Sequence, residues 1–150
     1  MHDFVALELV KGSLVFSFST GVQTSRVSVS VPGGLHDGQW HLLDLHYHNR
    51  TATLSVDGCD PVLADRLRNR PGGYRCANTT THRLEERCSD AMQTCYRFLD
   101  LTGPLQVGGL PDLPTHFPVS QMHFDGCIKD LYVDQQLLDL NKWVALTLLC

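Results

Sequence analysis

The chain has 150 residues, a formal net charge of -4 and 43% hydrophobic residues. That length fits one domain with enough apolar side chains for a core, and the acidic balance argues against general nucleic-acid binding. Six cysteines beside three methionines point to an oxidising compartment, and no apolar run is long enough to span a membrane.

Phe4 to Val10 alternates, with Val5, Leu7 and Leu9 on one side. Lys11-Gly12 predicts a turn. Ser13 to Ser19 alternates again, setting Leu14, Phe16 and Phe18 against small serines, and Thr20-Gly21 predicts the next turn. Arg26 to Val31 turns Val27, Val29 and Val31 inward and Arg26, Ser28 and Ser30 outward. Pro32, Gly33, Gly34 and the pair Asp37-Gly38 then break the chain. From Gln39 a long strand is predicted, with Trp40, Leu42, Asp44, His46 and His48 on one face and His41, Leu43, Leu45 and Tyr47 on the other. Asn49-Arg50 turns the chain back into Ala52, Leu54 and Val56, an antiparallel hairpin. Five strand-like runs in the first 58 residues, with no helical periodicity, predict an all-β antiparallel sandwich.

From Cys59 to Arg97 the alternation stops. This segment holds four of the six cysteines and seven of the twelve basic residues, against five acids. So long an irregular loop in a compact domain is functional or disordered as a rule. One helical turn within 91–99 is compatible with its residues but is not assigned. Strand character returns over Phe98 to Val107 and again, as a pair, over Gln121 to Val133, while Leu137 to Leu148 is apolar and uneven.

Two stretches carry a family resemblance. Asp37-Gly38-Gln39-Trp40-His41, closed by Leu54-Ser55-Val56-Asp57-Gly58, resembles the central signature of laminin G-like domains. Phe124-Asp125-Gly126-Cys127-Ile128, followed by Leu131, Val133 and Asp134, resembles the second signature. The Pro-Gly-Gly lead-in and Asp100-Leu101-Thr102-Gly103-Pro104-Leu105-Gln106-Val107-Gly108-Gly109-Leu110-Pro111 are most similar to the laminin G domains of seven-pass (Flamingo-type) cadherin receptors. The resemblance runs from about residue 3 to residue 143. It implies a jelly-roll, concanavalin-like β-sandwich over residues 1–150, with a Cys/Arg-rich insertion at 59–97. No secretory signal precedes Phe4 and a complete domain of this kind carries further strands ahead of Asp3, so a domain lacking its first strands is expected.

The resemblance also implies function. It points to a non-enzymatic recognition module in the ectodomain of a calcium-dependent adhesion receptor, acting in cell-cell contact and planar cell polarity. Its location would be extracellular, at the plasma membrane as part of a longer parent. Its partner would be an extracellular protein or a glycan, homophilic adhesion included. Calcium would be the cofactor. Carried over by position, Asp3 and Asp100 supply side chains and Thr20 and Phe98 supply carbonyls, an all-oxygen set that suits this hard cation. The alternative is a glycan-binding matrix module of laminin or agrin type. In that reading Arg66, Arg68, Arg70 and Arg75 pair with sulfates through their guanidinium forks. The acids in the same loop can instead satisfy those arginines locally, in exposed pairs of little energetic value.

Six cysteines allow fifteen connectivities. The resemblance pairs Cys127 with Cys150. Cys59 and Cys76 flank one lobe of the insertion, and Cys88 and Cys95 lie close enough to close a small ring. A zinc site from Cys76, His82, Cys88 and Cys95 matches no common spacing. His41, His46 and His48 invite a metal reading too, but no third ligand or general base with a recognisable motif accompanies them, and half-exposed strand histidines are the simpler reading. Sequons at Asn49-Arg50-Thr51 and Asn78-Thr79-Thr80 offer two accessible N-glycosylation sites. Catalysis is not expected. Glutamate occurs only at 8, 85 and 86, no Glu-x-Asp-x-Glu run provides paired carboxylates, and no Gly-x-Ser-x-Gly elbow occurs.

Overall fold

The structure is a computed structural model that describes residues 3–21, 23–67, 75–81, 99–110, 112 and 117–140. It contains two compact units, Met1–Leu101 and Thr102–Cys150.

The first unit holds two three-stranded antiparallel sheets. One runs β1 (Phe4–Val10), β2 (Ser13–Ser19), β3 (Thr24–Val29), and the other β4 (Leu43–His48), β5 (Thr51–Val56), β6 (Ala77–Thr81), each in that spatial order. Directly opposed residues share a face of an antiparallel pair. Val5 opposes Phe18, Leu7 opposes Phe16 and Leu9 opposes Leu14, so the alternating apolar sets of β1 and β2 fall on one side. Val27 and Val29 join them from β3 through Phe16 and Leu14. In the second sheet Leu43, Leu45 and Tyr47 oppose Val56, Leu54 and Ala52. The core forms where these faces meet: Leu14, Phe16, Phe18, Val27, Val29, Ala52, Leu54 and Val56, with Val31, Leu35 and Tyr47 packed against it. Phe18, fully buried, lies 5.5 Å from the Phe16 ring and 5.2 Å from the edge-on Tyr47 ring. Each such side chain contributes about 1.5–3 kcal/mol through burial.

The sheets meet along β3 and β6. Ser30 N–H donates to the Arg75 carbonyl at 3.0 Å, and the Asn78 side-chain amide donates to the Ser28 carbonyl at 3.0 Å. At the other side β1 and β4 are the outermost described strands. Their core-facing Val5, Leu7, Leu43 and Leu45 are therefore only partly covered, at 37–46% exposure. The reverse face of the first sheet is also covered in places. Phe4, Glu8, Ser17 and Ser19 are buried, and Ser19 Oγ accepts from Gly21 N–H at 3.1 Å.

Several boundaries differ from the sequence expectation. The first hairpin strand starts at Leu43 and not at Gln39, because the Gln39 and Leu42 amides bond to the Asp37 and Asp57 carboxylates in place of ladder partners. β3 runs from Thr24 to Val29, two residues earlier than its valine alternation. The supposedly patternless insertion contains a helix and a strand. Helix α1 (Pro61–Leu67) is capped by Asp60, whose carboxylate accepts from Val62 N–H at 2.7 Å and Leu63 N–H at 3.2 Å, with proline at the first helical position. β6 pairs with β5, and α1 packs against it.

In the second unit the expected strands at 98–107 and 121–133 shrink. Among the described residues they leave the bridge between Gly109 and His123 and the small hairpin β7 (Tyr132–Val133) with β8 (Gln136–Leu137). Its two-residue turn, Asp134-Gln135, has both φ values positive, the geometry that matches strand twist. Gly109 has φ +144°, and a side chain there would collide with the Met122 carbonyl. That close backbone approach requires glycine.

Candidate functional site

The Asp37-to-His41 signature forms a loop ahead of β4, and its closing Asp57 follows β5. Asp37 Oδ1 accepts from Gln39 N–H at 2.8 Å, which fixes the turn. Asp57 and Leu42 exchange two bonds: Leu42 N–H donates to Asp57 Oδ1 at 2.9 Å, and Asp57 N–H donates to the Leu42 carbonyl at 2.8 Å. His41 lies between the two acids. Its Nδ1 is 2.8 Å from Asp57 Oδ2 and its Nε2 is 3.1 Å from Asp37 Oδ1. Ionised carboxylates only accept hydrogen bonds, so the two contacts are both hydrogen bonds when both ring nitrogens carry protons. The closed network therefore favours the imidazolium form between the two carboxylates. The hydrogen bond to Asp57, then that to Asp37, raises the His41 pKa above its ordinary value. The Gln39 N–H, then His41, lowers Asp37, and His41 lowers Asp57.

This arrangement is a clasp. In its doubly protonated form the ring has both nitrogens engaged as donors and offers no lone pair to act as a base. His46 and His48 are exposed on the outer face of β4, opposite Thr53 and Thr51. Among the described residues no group of three or more His, Cys, Asp or Glu could hold a metal.

Three of the residues expected as calcium ligands, Asp3, Thr20 and Asp100, lie near the open end of the β1–β2 hairpin. Phe4 opposes Ser19, which puts Asp3 and Thr20 one step beyond the last rung. Asp100, distant in sequence, reaches the same rim: its N–H donates to Asp3 Oδ2 at 2.7 Å. Thr20 is buried. Burial pushes the Tyr47 phenol up; Arg50 offsets this in part, and the Asp3 charge adds to it. Two carboxylates and a carbonyl are, by type, donors that suit a hard cation with several sites left for water; the contact between Asp3 and Asp100 is made by the Asp100 amide. Phe98 lies outside the described residues.

Cys59 and Cys76 form a disulfide, so Cys76 is no zinc ligand. The bond ties the turn after β5 to the residue before β6, next to the Val56 N–H to Cys76 carbonyl bond of 2.9 Å. Cys127 is disulfide-bonded as well; Cys150, Cys88 and Cys95 lie outside the described residues. Of the arginines, Arg66 ends α1 exposed and Arg75 is exposed beside the disulfide; Arg68 and Arg70 lie outside the described residues. Asn49 is exposed at the β4–β5 turn, whereas Asn78 is half-buried within β6.

The laminin G domain family model matches residues 1–136. The protocadherin-like wing polarity protein stan of Drosophila melanogaster is 50% identical over 147 residues, covering 97% of this chain and 4% of that protein. Cadherin EGF LAG seven-pass G-type receptor 2 of Mus musculus is 41% identical over 160 residues, covering 96% of this chain and 5% of the receptor. Receptor 3 of the same name in Homo sapiens is 40% identical over 160 residues, covering 96% of this chain and 4% of the receptor. No solved structure matches. The chain thus spans about a twentieth of the curated relatives it matches. With both signatures present, one of them built into a buttressed sandwich clasp, and a family match across nine-tenths of its length, the chain belongs to the laminin G domain family.

Proposed function

We propose that this chain is an extracellular recognition module of a seven-pass cadherin-type receptor, acting at cell-cell contacts in adhesion and planar polarity. The observation that carries this reading is similarity over nearly the whole chain to a stretch of a protocadherin-like wing polarity protein in fly and of seven-pass receptors in mammals. The Cys59–Cys76 disulfide agrees with an extracellular location. Function in this reading is surface recognition of an extracellular protein, with homophilic contact included, and involves no bond chemistry. The laminin- or agrin-type glycan reading gains no support from these relatives.

Calcium is the proposed cofactor at the Asp3, Thr20 and Asp100 rim. When bound, the ion supplies charge neutralisation and coordination for a partner's oxygens. Asp3 keeps Oδ1 for it while Oδ2 accepts from Asp100 N–H. Two carboxylates with water completing the shell imply weak to moderate affinity.

The test is thermal unfolding of the oxidised chain with and without calcium at millimolar level. A ligand that binds only the native state raises the midpoint by mass action. A calcium-dependent rise that vanishes in Asp100→Ala supports the rim site. A cooperative melt that calcium leaves unmoved removes Asp3 and Asp100 as ligands. For recognition, beads coated with the chain should cluster with cells displaying the parent ectodomain. Clustering equal to that of uncoated beads would sink the adhesion reading.

A further inference from the structure

The two sequons look equivalent in the sequence, and the fold separates them. Asn49 and Arg50 form the two-residue turn between β4 and β5, with φ values of 44° and 64°. His48 and Thr51, which flank it, are the terminal rung of that hairpin. Asn49 is exposed. A turn with both central residues at positive φ is tolerated well by asparagine, and it places Asn49 one residue beyond the last rung of the sheet.

Asn78 is placed differently. It opposes Leu54 on β5, and Leu54 is a fully buried core residue. Opposed residues share a face, so Asn78 is on the inner side of its sheet, at the β3–β6 seam. Its amide is used at both ends: Nδ2 donates to the Ser28 carbonyl at 3.0 Å, and Oδ1 accepts from Thr79 N–H at 3.0 Å. The Thr79 and Thr81 hydroxyls are on the opposite, outer face, 3.1 Å and 3.0 Å from those of Thr53 and Thr51. A glycan on Asn78 Nδ2 would have to leave through the seam where the sheets close.

We infer that Asn49 carries an N-linked glycan, and that Asn78 stays unmodified and works as a staple between β6 and β3. This rests on the extracellular reading proposed above. It also has a consequence for recognition: a glycan at the β4–β5 tip shields that end of the second sheet, so a protein partner must approach elsewhere.

The experiment is secretion of the full chain from animal cells behind a cleavable signal sequence. Enzymatic deglycosylation in heavy-oxygen water then marks each formerly glycosylated asparagine for peptide mass spectrometry. The expected result is a mark on Asn49 and none on Asn78. A single deglycosylation-sensitive gel shift should be lost in Asn49→Gln and kept in Asn78→Gln, and Asn78→Gln should melt lower than the unsubstituted chain. A mark on Asn78 in secreted, folded chain, or an unmarked Asn49, overturns the inference. The wild-type measurement decides this even if a variant fails to fold. Because the added signal forces secretion, an unmarked Asn49 counts against this inference alone, while the recognition reading stands or falls on the bead assay.

Discussion

The imidazolium clasp gives the sharpest prediction. Substituting His41→Asn removes the cation that both Asp37 and Asp57 face, while the Gln39 and Leu42 amide bonds to those carboxylates can persist. The His41–Asp57 bond is short, 2.8 Å, and the ring is only 17% exposed, but the Asp57 side chain is 50% exposed. A charged hydrogen bond is worth about 1.5–3 kcal/mol when well shielded, and solvent screening of so exposed a carboxylate brings this pair down to about 1 kcal/mol. For a chain of this size that is about 2–4 °C in Tm. The pH dependence identifies the cause. His41 has a raised folded pKa, so its contribution is complete below its unfolded value of 6.5 and is lost as pH rises through the folded value. Asp37 and Asp57 have lowered folded pKa values, so theirs is present above 3.8 and is lost as pH falls through the folded values. The Tm difference between wild type and His41→Asn should therefore be largest between these limits, near about pH 5.5, and should shrink towards about pH 9. Imidazole NMR should show His41 titrating above the ordinary histidine value of 6.5. A Tm difference of the same size at both pH values, or a His41 titration at or below 6.5, would refute the doubly protonated ring.

Other outcomes follow from the same structure. Replacing both Cys59 and Cys76 by serine opens a loop of 17 residues' separation and should cost about 3 kcal/mol by denaturant unfolding. Phe18→Ala empties a fully buried site between Phe16 and Tyr47; it should cost about 3–5 kcal/mol, and a loss below about 1 kcal/mol would mean Phe18 is not at the centre of the core. Asp60→Ala removes the acceptor for Val62 and Leu63 at the start of α1 and should cost about 1 kcal/mol. Gly34→Ala should destabilise the chain, because its φ is +78° and a side chain there meets the His36 ring; an unchanged melting midpoint would contradict that packing.

Much of the first unit is legible in the alternation. Each of Leu14, Phe16, Phe18, Val27 and Val29 is core because one face of each strand is apolar, and a one-residue slip would invert it. The turns at Lys11-Gly12 and Asn49-Arg50 announce themselves by residue type. Helix α1 and strand β6 were also readable in principle. Asp60-Pro61 is a cap followed by a favoured first helical residue, and Ala77 to Thr81 is a threonine-rich strand run. A reading that treats the cysteine- and arginine-rich insertion as one irregular loop passes over both. The early end of strand pairing before Leu43 was not readable, since residues 39–42 keep a perfect alternation. The Gln39 and Leu42 amides go to the Asp37 and Asp57 carboxylates instead of to a neighbouring strand.

The candidate sites divide in the same way. Sequence alone determined which residues are chemically able to act: carboxylates at 3 and 100, sequons at 49 and 78, and cysteines at 59 and 76. Tertiary structure decided which of them meet. Asp100 reaches Asp3 across 97 positions of sequence, and His41 finds Asp57 across 16. Cys59 pairs with Cys76 because the β5–β6 ladder brings them together. Asn78 faces inward because Leu54 opposes it. Local pattern encodes the period and polarity of each strand, but side-chain partnership depends on register between strands, and register is set only when the two sheets close on one core.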